Sequence, residues 1–236
     1  MPRHLTLAAA VLAALLLLLS GIGARAGLWT FRTGFSLMRW GAYLALAAAA
    51  FALVQLLVAR WRGPRPWPLL LALALGVMVA GIPWSWQRRA GEVPPIHDIT
   101  TDTDDPPEFV AVLPLRADAP NPAAYGGPEI AAQQREAYPD LRSLVLPTLS
   151  PTDAFQRSLD AARAEGWEIV AADSAAGRIE ATATTGWFGF KDDVVVRIRP
   201  EGSGSVIAVR SVSRVGRSDV GTNARRIRAY LRRLGG

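Results

Sequence analysis

The sequence predicts an α+β domain, an antiparallel β-meander flanked by helices, attached to a three-helix transmembrane anchor. Three observations point there. Long apolar runs crowd into the first ninety residues, several short segments beyond them alternate polar and apolar residues with a period of two, and helical spacing brackets those segments on both sides.

The runs at 5–22, 41–59 and 67–82 contain no Asp, Glu, Lys, Arg or His. At about 1.5 Å per residue the first two approach the thickness of a hydrocarbon layer, and the shorter third needs its aromatic ends to reach both interfaces. Trp29, Trp40, Trp61, Trp67, Trp84 and Trp86, six of the eight tryptophans, stand at the ends of these runs, as expected of rings that settle at headgroup depth. Residues 1–84 therefore read as a transmembrane module and 85–95, with two prolines, as a linker to a soluble domain over 96–236. The spans lack the buried charges that mark ion or proton pathways, so the module reads as an anchor rather than a transporter.

The net charge of +6 belongs to that module. Residues 1–90 hold nine arginines and no acid, whereas the seventeen Lys and Arg beyond them meet all twenty Asp and Glu, leaving the domain at −3. A mildly acidic domain is a poor partner for nucleic acid, and the expected partner is the lipid bilayer. Orientation does not follow from charge bias: Arg3, Arg60, Arg62 and Arg65 flank one side, Arg25, Arg32, Arg39, Arg88 and Arg89 the other. Arg3, an apolar stretch and Ala24-Arg25-Ala26 have the pattern of a secretory signal, which starts in the cytoplasm. Three spans then place the domain on the periplasmic side of a bacterial inner membrane. The absence of cysteine removes disulfides, thiolate nucleophiles and Cys-held metals, and His4 and His97 are the only histidines, so no cofactor or metal is expected.

Within the domain, 96–128 is rich in Pro, Asp, Thr and Ala and reads as extended loop with one short strand candidate at 109–113. A short helix is expected over 128–137. Ser150 as N-cap, Pro151 at the first helical position and Asp153 at the third start a helix over 151–165, with Phe155, Leu159 and Ala162 on one face and Gly166 as its stop. Strands follow at 167–172, 178–184, 193–199 and 205–212. Their alternation marks a sheet with one covered and one polar face, and the short turns between them make antiparallel neighbours. A last helix over 219–234 carries the apolar stripe Val220, Ala224, Ile227, Leu231 and Leu234.

Three stretches, 95–102 (PIHDITTD), 187–194 (WFGFKDDV) and 210–227 (RSVSRVGRSDVGTNARRI), resemble in order and spacing the bacterial and plastid family known as domain of unknown function 1499, over about 96–234. The resemblance implies an envelope or plastid protein, some members being secreted or lipid-anchored, and it carries over no catalytic residue. The spans lie outside it.

The strongest candidate site is the loop 210–223, where Arg210, Ser211, Ser213, Arg214, Arg217 and Asn223, with Lys191 nearby, suit a phosphate or carboxylate beside a helix start. The competing reading makes Ser218 or Asp219 a helix cap and pairs the arginines with the domain's own acids, since 92–140 holds ten acids against two arginines and 197–236 the reverse. His97, Asp98 and Asp102 are weaker candidates for acid–base or metal chemistry, their spacing matching no metal motif. The aromatic hairpin at 186–193 is either a surface patch or a cap on the core. The expected function is a non-catalytic accessory that binds an anionic ligand or an envelope protein; the alternative is an envelope lipid- or glycan-acting hydrolase or transferase using His97 with a nearby aspartate.

Overall fold

The computed structural model describes residues 3–59 and 66–235. The chain divides into two units, one holding the chain up to Arg89 together with Gly186–Gly189, the other Ala90–Thr185 and Phe190–Gly236. Arg60, Trp61, Arg62 and Arg65, used above in the charge and aromatic readings, lie outside the described residues.

The first unit is built from α1 (Arg3–Arg25), α2 (Phe31–Ala59) and α3 (Trp67–Glu92). Each is long and apolar enough to cross a bilayer, and together they attach the chain to the membrane as an integral protein. Their residue distribution is inverted relative to a soluble bundle. Ala10, Ala48, Ala52 and Ala72 pack in one cluster, and Ala13, Leu17, Ala45 and Val79 in a second. Leu12, Leu15, Leu18, Val54, Leu57, Val77 and Met78 are exposed instead. Small residues inside let helices approach closely, and large aliphatics outside suit lipid. Gly76 marks one close approach: a Cβ there would lie 2.6 Å from the Ala45 carbonyl oxygen. The Gln55 amide donates to Thr6 Oγ1 at 2.7 Å, tying α2 to α1. Both α2 and α3 exceed the apolar runs, and α3 continues through Pro83 across most of the segment expected as linker. In the same unit, Trp187 stands 5.1 Å from Trp86 and donates to the Leu18 carbonyl, while Phe188 lies 4.9 Å from Phe35. The hairpin aromatics thus pack with apolar helices, which neither sequence reading anticipated.

The second unit is the α+β domain. Strands β3 (Glu168–Asp173), β4 (Arg178–Thr184), β5 (Lys191–Glu201) and β6 (Gly204–Ser213) form the expected antiparallel meander. Two three-residue strands absent from the sequence reading, β1 (Asp98–Thr100) and β2 (Leu144–Leu146), both pair with β6 and extend the sheet past it. Helices α4 (Gly127–Ala137), α5 (Pro151–Ala164) and α6 (Thr222–Gly235) complete the domain. Ser150 caps α5 as its sequence predicts, its hydroxyl accepting from the Asp153 N–H at 3.2 Å and donating to the Asp153 carboxylate at 2.6 Å. Gly166, at φ +74°, ends the segment in a conformation that glycine adopts without strain.

Alternation on the strands sorts two faces. Ile179, Ala181, Val194, Val196, Ile198, Ile207 and Val209 join Phe155, Leu159, Ile227, Tyr230 and Leu234 in the main core, with Trp167 stacked on Tyr230 at 4.8 Å. The opposite face carries Glu180, Thr182, Asp193, Val195, Arg210 and Val212, and here the sequence expectation of a solvent-facing polar side is corrected. These residues are all buried. They lie beneath residues 101–126, a strap with little regular structure whose Phe109 and Val112 pack on Val195 and Val212. The strand expected at 109–113 does not form; the strap turns there and makes one short 3-10 turn at Pro114–Arg116.

Candidate functional site

On the strap side, β6 and its continuation place Arg210 and Arg214 against carboxylates. Arg210 is 2% exposed and grips Asp98 with both edges of its fork, Nε to Oδ1 at 2.9 Å and Nη2 to Oδ2 at 2.7 Å. It also donates to the carbonyls of Pro107 and Ala123, at 3.1 and 2.7 Å. The rings of Phe109 and Tyr125 lie 5.0 and 5.4 Å from its Cζ, a cation–π distance on each. Burial, with the Asp98 charge second, pushes the Tyr125 phenol up to about 12, so it stays neutral beside the pair. Arg214 holds Asp193 in the same two-toothed way, at 3.0 and 2.8 Å, and donates to the Leu115 carbonyl. Thr182 donates to Asp193 at 2.9 Å, and buried Arg116 approaches it to 3.4 Å. Burial draws the Arg116 guanidinium below its ordinary pKa, with the Asp193 charge opposing.

On the helix side, Ser211, Ser213 and Asn223 close on one another. The Ser211 hydroxyl donates to Asn223 Oδ1 at 2.7 Å, and Asn223 Nδ2 donates to Ser213 Oγ and to the His97 carbonyl, each at 3.0 Å. Arg226 donates to Asn223 and reaches Asp192 at 2.5 Å. The amides ahead of α6, where an anion was envisaged, already hold one: Asp219 accepts from Gly221 N–H at 2.8 Å and Asn223 N–H at 2.6 Å. Burial raises this carboxyl above the ordinary range, against those two hydrogen bonds. Val220 takes a positive φ of 53° between them.

The residues singled out from sequence therefore divide. Arg210, Ser211, Ser213, Arg214 and Asn223 have partners inside the domain. Lys191 and Arg217 are exposed, and neither is ion-paired among the described residues. The Arg217 carbonyl sits 3.3 Å from His97 Nδ1, and the Lys191 carbonyl accepts from Arg214 N–H. His97, Asp98 and Asp102 do not assemble: Asp98 is held by Arg210, Asp102 pairs with Arg197 at 3.0 Å, and the imidazole faces a carbonyl. Asp192 and Arg210 lie on opposite faces of the sheet. Among the described residues no group of three or more His, Cys, Asp or Glu is arranged to hold a metal ion. A cavity of about 480 Å³ opens on α5 beside Arg233, lined by none of these candidates.

Sequence reasoning passed over Glu180, whose carboxylate is fully buried. It accepts from the backbone N–H groups of Val110, Ala111 and Val112, all at 3.0 Å, with Arg178 Nε at 3.2 Å. The available signal was the alternation itself, which puts Glu180 on the same face as Asp193 and Arg210.

No curated protein matches the chain. The family model described as "Protein of unknown function (DUF1499)" matches residues 98–234, beginning at β1 and ending within α6. That span covers the whole sheet and more than half of the sequence, so the chain belongs to the DUF1499 family, here joined to an N-terminal region with three membrane helices.

Proposed function

We propose that the protein is a non-catalytic accessory of the cell envelope, whose domain binds an anionic group at the membrane surface through Lys191 and Arg217. The observation that carries this reading is their exposure without an acidic partner, when the neighbouring Arg210, Arg214 and Arg226 are all neutralised internally. Chain reach supports a headgroup as the ligand. Four residues separate the end of α3 at Glu92 from His97, whose ring touches the Arg217 carbonyl. Lys191 follows Gly189, which groups with the helices, by two residues. The signal-like start of α1 and the three crossings favour a periplasmic domain. A catalytic use of His97 has less support, because the adjacent carboxylates of Asp98 and Asp102 are engaged by arginines.

The test is thermal unfolding of the full chain in neutral detergent with added phosphatidylglycerol, phosphatidylcholine or inorganic phosphate. The wild type gains several degrees from phosphatidylglycerol alone, and added salt weakens the gain. Lys191→Glu with Arg217→Glu keeps the lipid-free midpoint and loses at least half of the gain. A double variant stabilised as fully as the wild type would refute the assignment. A gain from phosphate equal to that from lipid would make the ligand a free anion.

A further inference from the structure

We propose that the outer surface of the strap is a docking site for a basic amphipathic segment of another polypeptide. Val110, Leu113 and Leu115 are 51, 43 and 56% exposed, and they fall within six residues. The domain's other large exposed aliphatic among the described residues is Val145, so this surface is concentrated rather than scattered. It is also held rigidly. Glu180 pins the amides of 110–112 from below, Leu115 N–H donates to the Val112 carbonyl, and Arg214 holds the Leu115 carbonyl at 2.7 Å. An apolar loop fastened by buried charges presents its side chains with little ordering cost on binding.

Charge identifies the occupant. The strap contains five acids and one base; Asp102, Asp104 and Asp105 pair with Arg197, Arg135 and Arg199, which leaves Glu108 and Asp118 to set the charge around the apolar residues. That base, Arg116, is turned inward with its Nη2 on the carbonyls of Asn121 and Pro122. Glu108 and Asp118, on either side of the apolar residues, are exposed. An apolar surface rimmed by acids repels an anionic bilayer and attracts a partner that combines aliphatic side chains with Lys or Arg. The site is separate from Lys191 and Arg217 and does not depend on the anion-binding proposal.

The experiment uses the full chain in phosphatidylcholine nanodiscs and a fluorescent helical peptide of Leu and Lys, with empty discs subtracted. Saturable binding that depends on the protein is expected. Leu113→Ser with Leu115→Ser should weaken it roughly tenfold or more, with an unchanged melting temperature, since exposed aliphatics contribute little to the fold. Glu108→Lys with Asp118→Lys should weaken it similarly, and a Leu and Glu peptide should not bind. Binding that is absent, or equal in all these variants, overturns the proposal. Energy transfer between separately labelled copies, abolished by the Leu113 and Leu115 changes, would make the occupant a second copy and overturn it as well. So would an emission shift of a dye on Leu113→Cys produced by phosphatidylglycerol discs alone, which would assign the surface to the bilayer.

Discussion

Replacing Arg210 with Ala is expected to unfold the domain or bring it close to unfolding. The substitution leaves the Asp98 carboxylate, 7% exposed at its side chain, without its cation, and frees the carbonyls of Pro107 and Ala123. Breaking a buried pair from one side costs about 3–5 kcal/mol, against a total stability of about 5–15 kcal/mol for a typical domain. Phe109 and Tyr125 also lose the cation that lies 5.0 and 5.4 Å from their ring centres. Arg210→Lys should be nearly as damaging, because an ammonium cannot make the two parallel bonds to Asp98 and also reach the carbonyls of Pro107 and Ala123. Denaturant unfolding of the full chain in detergent, followed by circular dichroism, measures this. An Arg210→Ala midpoint indistinguishable from wild type would show that the pair holds nothing together.

The second large effect is expected at Glu180. Its carboxylate accepts from three consecutive amides, and hydrogen bonds to a charged acceptor contribute roughly 1.5–3 kcal/mol each. Glu180→Ala removes that acceptor and leaves the amides facing an apolar hole next to Val195. Glu180→Gln keeps the volume but directs an NH2 group toward N–H donors, so it recovers only part of the loss. Hydrogen exchange reads the consequence locally. The amides of Val110, Ala111 and Val112 should exchange at least roughly a hundredfold faster in Glu180→Ala, while those of β5 and β6 slow or fast together with global stability. Unchanged protection of the three amides would mean that the strap is held by its apolar contacts alone.

How much of this was legible in the sequence depended on how local the determining physics was. Strand β4 coincides with the alternating segment 178–184, and α5 begins where Ser150, Pro151 and Asp153 place it, because each is specified by neighbours in sequence. Strands β1 and β2 were missed since three residues are too few to show a period. The segment 109–113 misled for the opposite reason. Its run of apolar residues suits a strand, but the buried Phe109 and Val112 stand three apart rather than two, and its amides converge on one side chain, Glu180, rather than on a neighbouring strand.

The candidate site was half legible. The charge asymmetry between 92–140 and 197–236 foretold that the two segments pair, and Arg210 with Asp98, Arg197 with Asp102 and Arg228 with Asp140 are those pairs. Which arginines turn inward was not legible, because it depends on register. Val195 opposite Arg210 and Val194 opposite Ser211 decide that Arg210 lies under the strap and Ser211 under α6. Charged residues at alternating strand positions ordinarily mean solvent, and nothing local reveals that a strap some seventy to a hundred residues away in sequence covers them. Asp192 and Asp193, adjacent in sequence, are divided by the same pleat between Arg226 and Arg214.

The cations sort into inward and outward sets, and arginine-selective chemical footprinting of the native full-length protein tests that sorting in one measurement. With a dicarbonyl reagent and mass-spectrometric readout, Arg217 should be modified at the rate of a free guanidinium, while Arg116, Arg210 and Arg214 stay protected until the domain unfolds. Modification of Arg210 as fast as Arg217 in the folded protein would contradict the account.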